Sequence, residues 1–236
     1  MAAGSEVSDY WICGGKELSM RDEISLERVA RILAKHGQVY KRIAPVYQRA
    51  MLSDLYTLWD SKHERVLDIG GGSGVIAQAV KELFGVGSVV SVDVEDRFND
   101  DLTIETGVFD GVSLPFPDDS FDCAMLCNVI HHVPKTSRVS LLRECARVAG
   151  SGPVYIKDHV MESSLDQVIL FIEDVIGNVP YGGQVKAWYL SKQDWKTLAT
   201  EAGFRIDGTS RGEYRSRIFE YIFPSRLEIA MRWLPI

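Results

Sequence analysis

The features that mark a membrane-spanning, secreted or nucleic-acid-binding protein are missing from this 236-residue sequence. No apolar run reaches the roughly 18 residues that a membrane-spanning helix needs. No positively charged segment precedes an apolar stretch near the first residue, so we expect neither a membrane anchor nor a signal peptide. Lys and Arg number 26 against 33 Asp and Glu, a net charge of -7. This lack of basic residues disfavours nucleic acid as a partner, because phosphates require cationic groups.

Cysteine is scarce as well. The four residues Cys13, Cys123, Cys127 and Cys145 are typical of the reduced thiols of a cytosolic protein. Cys123 and Cys127 lie four positions apart, but no second Cys or His pair follows at ligand spacing, so we expect buried thiols and no metal. The remaining composition, with 46% hydrophobic residues, indicates one soluble globular domain, which we expect in the cytoplasm.

Short β-rich runs alternate with stretches of helical periodicity, and this α/β pattern predicts a parallel sheet covered by helices. The predicted strands are 65–69, 88–94, 104–109, 121–127 and 154–157, and two final runs, 204–207 and 217–223, are expected to pair as an antiparallel edge. Predicted helices cover 24–35, 47–59, 75–83, 136–149, 164–176 and 192–202. The helix over 164–176 has an apolar stripe formed by Leu165, Val168, Ile169, Ile172 and Ile176. We expect this stripe in the core, and a hydrophobic substrate pocket is the alternative.

A glycine-rich loop, Gly70-Gly71-Gly72-Ser73-Gly74, separates the strand at 65–69 from a helix. Glycines permit positive φ and close approach of a ligand, and the helix beyond offers free N–H groups. This arrangement predicts a nucleotide or nucleoside cofactor at the carboxyl ends of parallel strands. Val75 stands where a dinucleotide fingerprint needs Gly or Ala, so a nicotinamide-dependent oxidoreductase is a weaker alternative. No Lys-Ser/Thr pair follows, which excludes a P-loop.

Together with four further segments, this loop gives the sequence a pattern that resembles the class I S-adenosylmethionine (SAM)-dependent methyltransferases, in particular the small-molecule methyltransferases. The resemblance covers about residues 40–210 and is carried by VLDIGGGSG (66–74), VVSVDV (89–94), FDGVSLPFPDDSFD (109–122), MLCNVIHHV (125–133) and YLSKQDWKTLATEAGFRI (189–206). It implies a single Rossmann-like domain with a mostly parallel seven-stranded sheet, an antiparallel last strand and helices on both faces.

The resemblance also suggests how the single domain, residues 1–236, is divided. We expect a helical N-terminal cap (1–60), a SAM-binding core (61–159), an insertion after strand five (160–190) and a C-terminal helix with edge strands (191–236). The acceptor pocket is expected between the N-terminal helices and the insertion.

Ten cofactor-binding residues are implied by the resemblance: Asp68, Gly70, Gly72, Gly74, Asp93, Phe109, Asp110, Cys127, Asn128 and Tyr47. Asp93 is expected to accept hydrogen bonds from both ribose hydroxyls, and Phe109 with Asp110 to lie beside adenine. Cys127 and Asn128 are expected nearest the methionine part. Alternatively, Asp68 and Asp93 cap a helix or a turn, and Asp110 is an ordinary turn residue without a role in binding.

Methyl transfer from a sulfonium mainly requires alignment of the acceptor and exclusion of water. A hydroxyl acceptor also benefits from a base, and the candidates at the carboxyl ends of strands four and five are His131, His132, His159 and Asp158. Among them His132, His159 and Asp158 are our choice for a catalytic role. The implied function is methylation of a small molecule, with oxygen favoured over carbon or nitrogen, and S-adenosylhomocysteine as product. The alternative is a protein of this fold that binds SAM only as a scaffold for another reaction.

Overall fold

The fold is built around a sheet whose strands match most of the predicted β-rich runs. A computed structural model describes residues 24–60, 62–178, 185–215 and 217–236. Within these ranges the strands are β1 (Arg65–Ile69), β2 (Ser88–Asp93), β3 (Glu105–Val108), β4 (Cys123–Cys127), β5 (Val154–His159), β6 (Phe204–Ser210) and β7 (Glu228–Pro235). Cys13, the rest of residues 1–23 and positions 179–184 of the expected insertion lie outside the described residues.

The strand order is β3-β2-β1-β4-β5-β7-β6. Strands β1 to β5 pair in parallel, and β7 pairs antiparallel with both β5 and β6. The expected fold class, a mostly parallel seven-stranded sheet with an antiparallel last strand, is confirmed. Because β1 is central and the order reverses beside it, the carboxyl ends of β1, β2 and β4 surround one crevice.

Helices lie on both faces of the sheet, also as expected. They are α1 (Leu26–His36), α2 (Val46–Leu58), α3 (Val75–Leu83), α4 (Lys135–Ala149), α5 (Ser164–Asn178), α6 (Lys192–Ala202) and the one-turn α7 (Arg217–Glu220). Their ends follow local chemistry: Ser191 and Asp194 form a capping box at the start of α6, and Gly203 ends it at φ 88°. No helix in the described ranges is long and apolar enough to cross a membrane.

Neighbouring residues of β1 point to different layers of the core. Val66 packs with the helices α1, α2 and α3, whereas Leu67 packs with α4 and α6. Both residues are fully buried. A strand covered on its two faces is expected to be largely apolar, and Val66, Leu67 and Ile69 of β1 fit this pattern, with the charged Asp68 between them.

The predicted strand over 217–223 is wrong. The chain there begins with the one-turn helix α7, and the Glu220 carboxylate accepts hydrogen bonds from the Ser225 N–H (2.7 Å) and hydroxyl (2.6 Å). The strand that enters the sheet is β7, which is inserted between β5 and β6 instead of lying at the edge. Its central residues Ala230 and Met231 are buried, and this two-sided burial favours 228–235 over 217–223.

The prediction that the apolar stripe of α5 packs in the core is wrong for four of its five residues; the fifth, Ile169, is partly buried beside Leu170. Leu165 is 66% exposed, Val168 54% and Ile176 61%, and Ile172 is exposed as well. The helix instead buries Asp166, Leu170 and Asp174, which are spaced four apart along one face. The two carboxylates are paired: Asp166 with Arg226 (2.6 Å), and Asp174 with the Tyr189 hydroxyl. These pairs decide which side of α5 faces the protein.

Candidate functional site

The glycine loop turns tightly at the carboxyl end of β1. Gly70, Gly72 and Gly74 all have positive φ, at 74°, 57° and 75°, a region that other residues adopt at a cost. A side chain at Gly70 or Gly74 would collide with Val129 or Leu102, whereas one at Gly72 would meet nothing within 4 Å. Gly72 therefore presents bare backbone to open space, which is where a ligand can approach closely.

Asp93 ends β2 directly beside this loop. Its Oδ2 accepts a hydrogen bond from the Gly72 N–H at 2.7 Å, and its Oδ1 accepts one from the Glu95 N–H at 3.2 Å. Arg97 Nη2 lies 3.5 Å from the same Oδ1. The structure thus brings together the glycine loop and the acid that the sequence analysis paired with it. A carboxylate has about four lone-pair positions, so these contacts leave capacity for a ligand.

Asp68 lies beneath the loop and is almost fully buried. Its Oδ2 accepts a hydrogen bond from the Ser91 hydroxyl at 2.6 Å. Burial raises the pKa of the Asp68 carboxyl to about 7; Ser91 opposes this shift, and the nearby Asp93 adds to it. Sequence reasoning missed Ser91, whose hydroxyl compensates the buried acid.

Phe109 and Asp110 follow β3. Phe109 is buried, and its N–H donates to the Asp93 carbonyl oxygen at 3.0 Å. Asp110 is exposed, and its Oδ1 accepts hydrogen bonds from the Val112 and Ser113 N–H groups, both at 2.8 Å. These backbone donors lower the pKa of Asp110. Asp110 therefore has the contacts of a turn residue, and its place beside adenine stays a prediction.

A buried polar network begins where β4 ends. Asn128 adopts a φ of 58°, and its Oδ1 accepts a hydrogen bond from Lys157 Nζ at 2.8 Å. Lys157 is fully buried in β5, and its Nζ lies 2.6 Å from Glu228 Oε2. Its Nζ also contacts the Tyr47 hydroxyl. Cys127 lies next to this network, and burial raises the pKa of its thiol, so the sulfur stays protonated at neutral pH.

Tyr47, which belongs to α2, contacts this network through its hydroxyl and its ring. Its hydroxyl lies 3.0 Å from Asn128 Nδ2 and 3.3 Å from Glu228 Oε2. The Lys157 Nζ is 4.5 Å from the centre of its ring, and the guanidinium of Arg215 is 4.9 Å from it. Burial, followed by the charge of Glu228, raises the pKa of Tyr47 well above its usual value. The hydroxyl is therefore a neutral donor at physiological pH.

A second network lies beside the first and contains the histidines. His131 is fully buried, and its Nδ1 is 2.5 Å from Asp158 Oδ1. Asp158 also accepts hydrogen bonds from the N–H groups of Ile130 (3.0 Å) and His159 (2.7 Å). Burial alone would lower the pKa of His131, but Asp158 and Asp174 together raise it to about 9. Burial alone would raise the pKa of Asp158, but His131 and the charge of His159 lower it below its usual value.

The insertion helix α5 contributes Asp174 to this second network. An oxygen of Asp174 lies 3.5 Å from His131 Nε2, and the Tyr189 hydroxyl donates to the same oxygen. The ring of His132 packs at a tilt of 48° against that of His131, with ring centres 4.0 Å apart, and its Nδ1 is 3.0 Å from the Lys186 carbonyl oxygen. Burial, then the charge of His131, lowers the pKa of His132. His159 links the two networks, with Nδ1 3.2 Å from Glu228 Oε2.

The three candidate bases therefore lie close together but in unequal surroundings. Asp158 and His159 were expected after strand five, yet both belong to β5 and are buried, because β5 pairs with β7 as far as His159 opposite Glu228. His132 is only half buried. Sequence reasoning missed five members of the networks: Lys157, Glu228, Arg215, Asp174 and Tyr189. The signal available was the charged run Lys157-Asp158 inside an apolar strand.

The chain is similar to known methyltransferases in sequence and in fold. Residues 67–156 match a protein family described as a methyltransferase domain. This segment contains the glycine loop, Asp93 and Asn128 and ends at Ile156, one residue before Lys157.

Among curated proteins, an uncharacterized methyltransferase of Mycobacterium tuberculosis is 30% identical over 152 residues, which are 58% of this chain and 59% of that protein. The ubiquinone/menaquinone biosynthesis C-methyltransferase UbiE of Pseudomonas putida is 34% identical over 100 residues, 37% of this chain and 38% of that one. The chain thus spans less than two thirds of these relatives. A SAM-dependent methyltransferase structure from Thermotoga maritima shares the fold, with a TM-score of 0.62 at 17% identity over 90% of this chain and all of that one.

Proposed function

We propose that this chain is a class I SAM-dependent methyltransferase that transfers a methyl group from SAM to a small-molecule acceptor; the match of residues 67–156 to a methyltransferase domain and the shared fold support this proposal. One observation carries the proposal. The open backbone of Gly72, the carboxylate of Asp93 and the Asn128–Lys157 network lie along the same carboxyl edge of the sheet. This edge is where ligands bind in open α/β sheets.

The residues present fit the cofactor. A ribose diol needs an acceptor with spare lone pairs, which Asp93 supplies beside the loop. An amino-acid group needs both donors and acceptors, and the network of Tyr47, Asn128, Lys157 and Glu228 contains both. Gly72 lets the ligand come near the backbone. We assign these residues to SAM and its product S-adenosylhomocysteine.

When bound, SAM supplies a methyl group on a sulfonium that is already a good leaving group. The chain then has to align the acceptor and keep water away. We assign alignment to the rim that Tyr47 forms from α2 and to the insertion with α5. Asp158 and His159 are positioning residues in this proposal, because both are buried and held by partners: Asp158 by His131, and His159 by Glu228.

Oxygen is the favoured methyl acceptor, because a histidine-rich network beside the site suits an acceptor that must lose a proton. Carbon is the second candidate, and it is favoured by the similarity to a quinone C-methyltransferase. Methylation at oxygen and methylation at carbon give different products, so NMR analysis of the methylated product distinguishes the two candidates.

Calorimetry on the full chain tests the proposal. We expect SAM and S-adenosylhomocysteine to bind one site per chain, and Asp93→Asn to weaken both by about tenfold or more, since it removes one charge-assisted acceptor worth about 1.5–3 kcal/mol. The control is Asp118→Asn, an exposed acid paired with Arg147, which should leave affinity unchanged. Absence of binding by folded protein contradicts the proposal. Binding without transfer of labelled methyl to any phenol, alcohol or quinol offered supports the scaffold alternative.

A further inference from the structure

Two histidines and an aspartate converge beyond the carboxyl end of β4. One ring nitrogen of His131, one of His132 and a carboxylate oxygen of Asp174 lie within 4.8 Å of one another. The histidines follow β4, whereas Asp174 comes from α5, so the tertiary fold brings the three together. We propose that these side chains bind a first-row divalent transition ion such as Zn²⁺. Two imidazoles and one carboxylate are a ligand set that suits such ions.

Each of the three side chains is held by an outer partner. The Nδ1 of His131 pairs with Asp158, the Nδ1 of His132 is 3.0 Å from the Lys186 carbonyl oxygen, and Asp174 accepts from the Tyr189 hydroxyl. Metal-binding histidines characteristically donate their second ring nitrogen to a carboxylate or carbonyl, which fixes the ring and its tautomer. The contact with Asp158 leaves Nε2 of His131 as the ring atom that can bind the ion.

The strongest single sign is the surroundings of His131 Nε2. This atom is fully buried and makes no hydrogen bond. It lies 3.5 Å from Asp174 Oδ2, which is too long for a good hydrogen bond. Ligands at about 2.0–2.1 Å around a tetrahedral Zn²⁺ are about 3.3–3.4 Å apart, so the gap is close to the one that an ion bridges. A closer approach of His132, whose ring is half buried, would complete the set.

The proposed ion has two consequences. It would tie α5, the first part of the insertion, to the loop after β4, because the ligands come from both. Three protein ligands also leave a fourth position open, as in catalytic zinc sites. This site departs from the sequence-based expectation of no metal, and binding of the ion does not depend on methyl transfer.

Metal titration of the intact chain tests the proposal. After treatment with a chelator, Co²⁺ alone is added and the visible absorption of tetrahedral cobalt is followed; Zn²⁺ then displaces it. We expect one ion per chain and weakening of the affinity by about 10–100-fold or more in both His132→Gln and Asp174→Asn, since even loss of an outer partner has an effect of that size. The control His36→Gln removes a histidine that pairs with Asp101 elsewhere in the fold and should bind Co²⁺ normally.

A second readout keeps the test independent of how well a variant folds. At an ion concentration 100 times the dissociation constant, the Tm of the unsubstituted protein should rise by about 5–10 °C, while those of His132→Gln and Asp174→Asn should not move. The proposal is overturned if the unsubstituted protein binds Co²⁺ no more tightly than His132→Gln, or if its Tm is unaffected by Zn²⁺.

Discussion

Lys157 and Glu228 form a fully buried ion pair across two antiparallel strands, with Nζ 2.6 Å from Oε2. Lys157 lies in β5 and Glu228 begins β7, the strand that runs against the direction of the other central strands. Removing two charges from water costs free energy, which is regained only when every partner is in place. Here Asn128, Tyr47 and His159 supply the remaining contacts, so the pair depends on the whole network around it.

The first prediction concerns this pair. Lys157→Met leaves the Glu228 carboxylate buried beside weaker partners, and we expect the free energy of unfolding to fall by about 3–5 kcal/mol. Urea unfolding measures it. Arg205→Met, which breaks the half-exposed pair with Asp207, serves as control and should cost less than about 1 kcal/mol. Equal losses in the two variants would show that the buried pair has no special role.

The second prediction separates backbone strain from ligand access at Gly72. Gly85 also has a positive φ, 68°, and a methyl group added to it would likewise meet nothing within 4 Å. Gly72→Ala and Gly85→Ala should therefore each destabilise the fold by about 1–2 kcal/mol. Only Gly72→Ala should weaken SAM binding in calorimetry, by about tenfold or more, since the methyl group occupies the space before the loop. Similar affinities in the two variants would place the cofactor elsewhere.

The third prediction follows from the pKa of Asp68, which burial raises to about 7. The folded protein keeps this proton at pH values where the unfolded chain, with a pKa of about 3.9, has lost it. The carboxyl therefore makes stability fall as pH rises from about 4 to about 7, with no further change above. In Asp68→Asn this fall should disappear from the urea midpoints of the SAM-free protein.

Asp110→Asn is the control for that pH series. The Asp110 side chain is exposed and its pKa is lowered by backbone donors, so its contribution to stability is already complete above about pH 5. The midpoints of this variant should keep the slope of the unsubstituted protein between pH 5 and 7. A slope that survives in Asp68→Asn would assign the proton to another group.

The fourth prediction concerns the hydroxyl of Tyr47. Tyr47→Phe keeps the ring against Lys157 and Arg215 but removes the contacts with Asn128 and Glu228. Tyr214→Phe is the control, since it also removes one hydroxyl inside the fold, which donates to Asp54 at 2.7 Å. Each should cost about 1–3 kcal/mol of stability. Only Tyr47→Phe should also weaken SAM binding, by about threefold to tenfold; unchanged affinity would separate the Asn128 network from the cofactor.

Local patterns in the sequence were sufficient for the parts of the fold that depend on one chain segment. β1 has the apolar residues Val66, Leu67 and Ile69 because it is covered on both faces, and α6 has its capping box and its terminal glycine in the sequence. The glycine loop and Asp93 were paired in advance, since both follow parallel strands that end at the same edge.

Long-range pairing decided the rest. The orientation of α5 follows from Asp166 and Asp174, whose partners Arg226 and Tyr189 are distant in sequence, so hydrophobic periodicity alone chose the wrong face. Strand β7 carries Glu228 to Lys157 and His159, a contact that no local motif encodes. By itself the sequence predicted the strands β1 to β6 and the glycine loop beside Asp93, but it placed the seventh strand at 217–223 instead of 228–235. Only the tertiary structure decided which charged groups are buried together, because a buried charge is tolerated only where partners from other elements reach it.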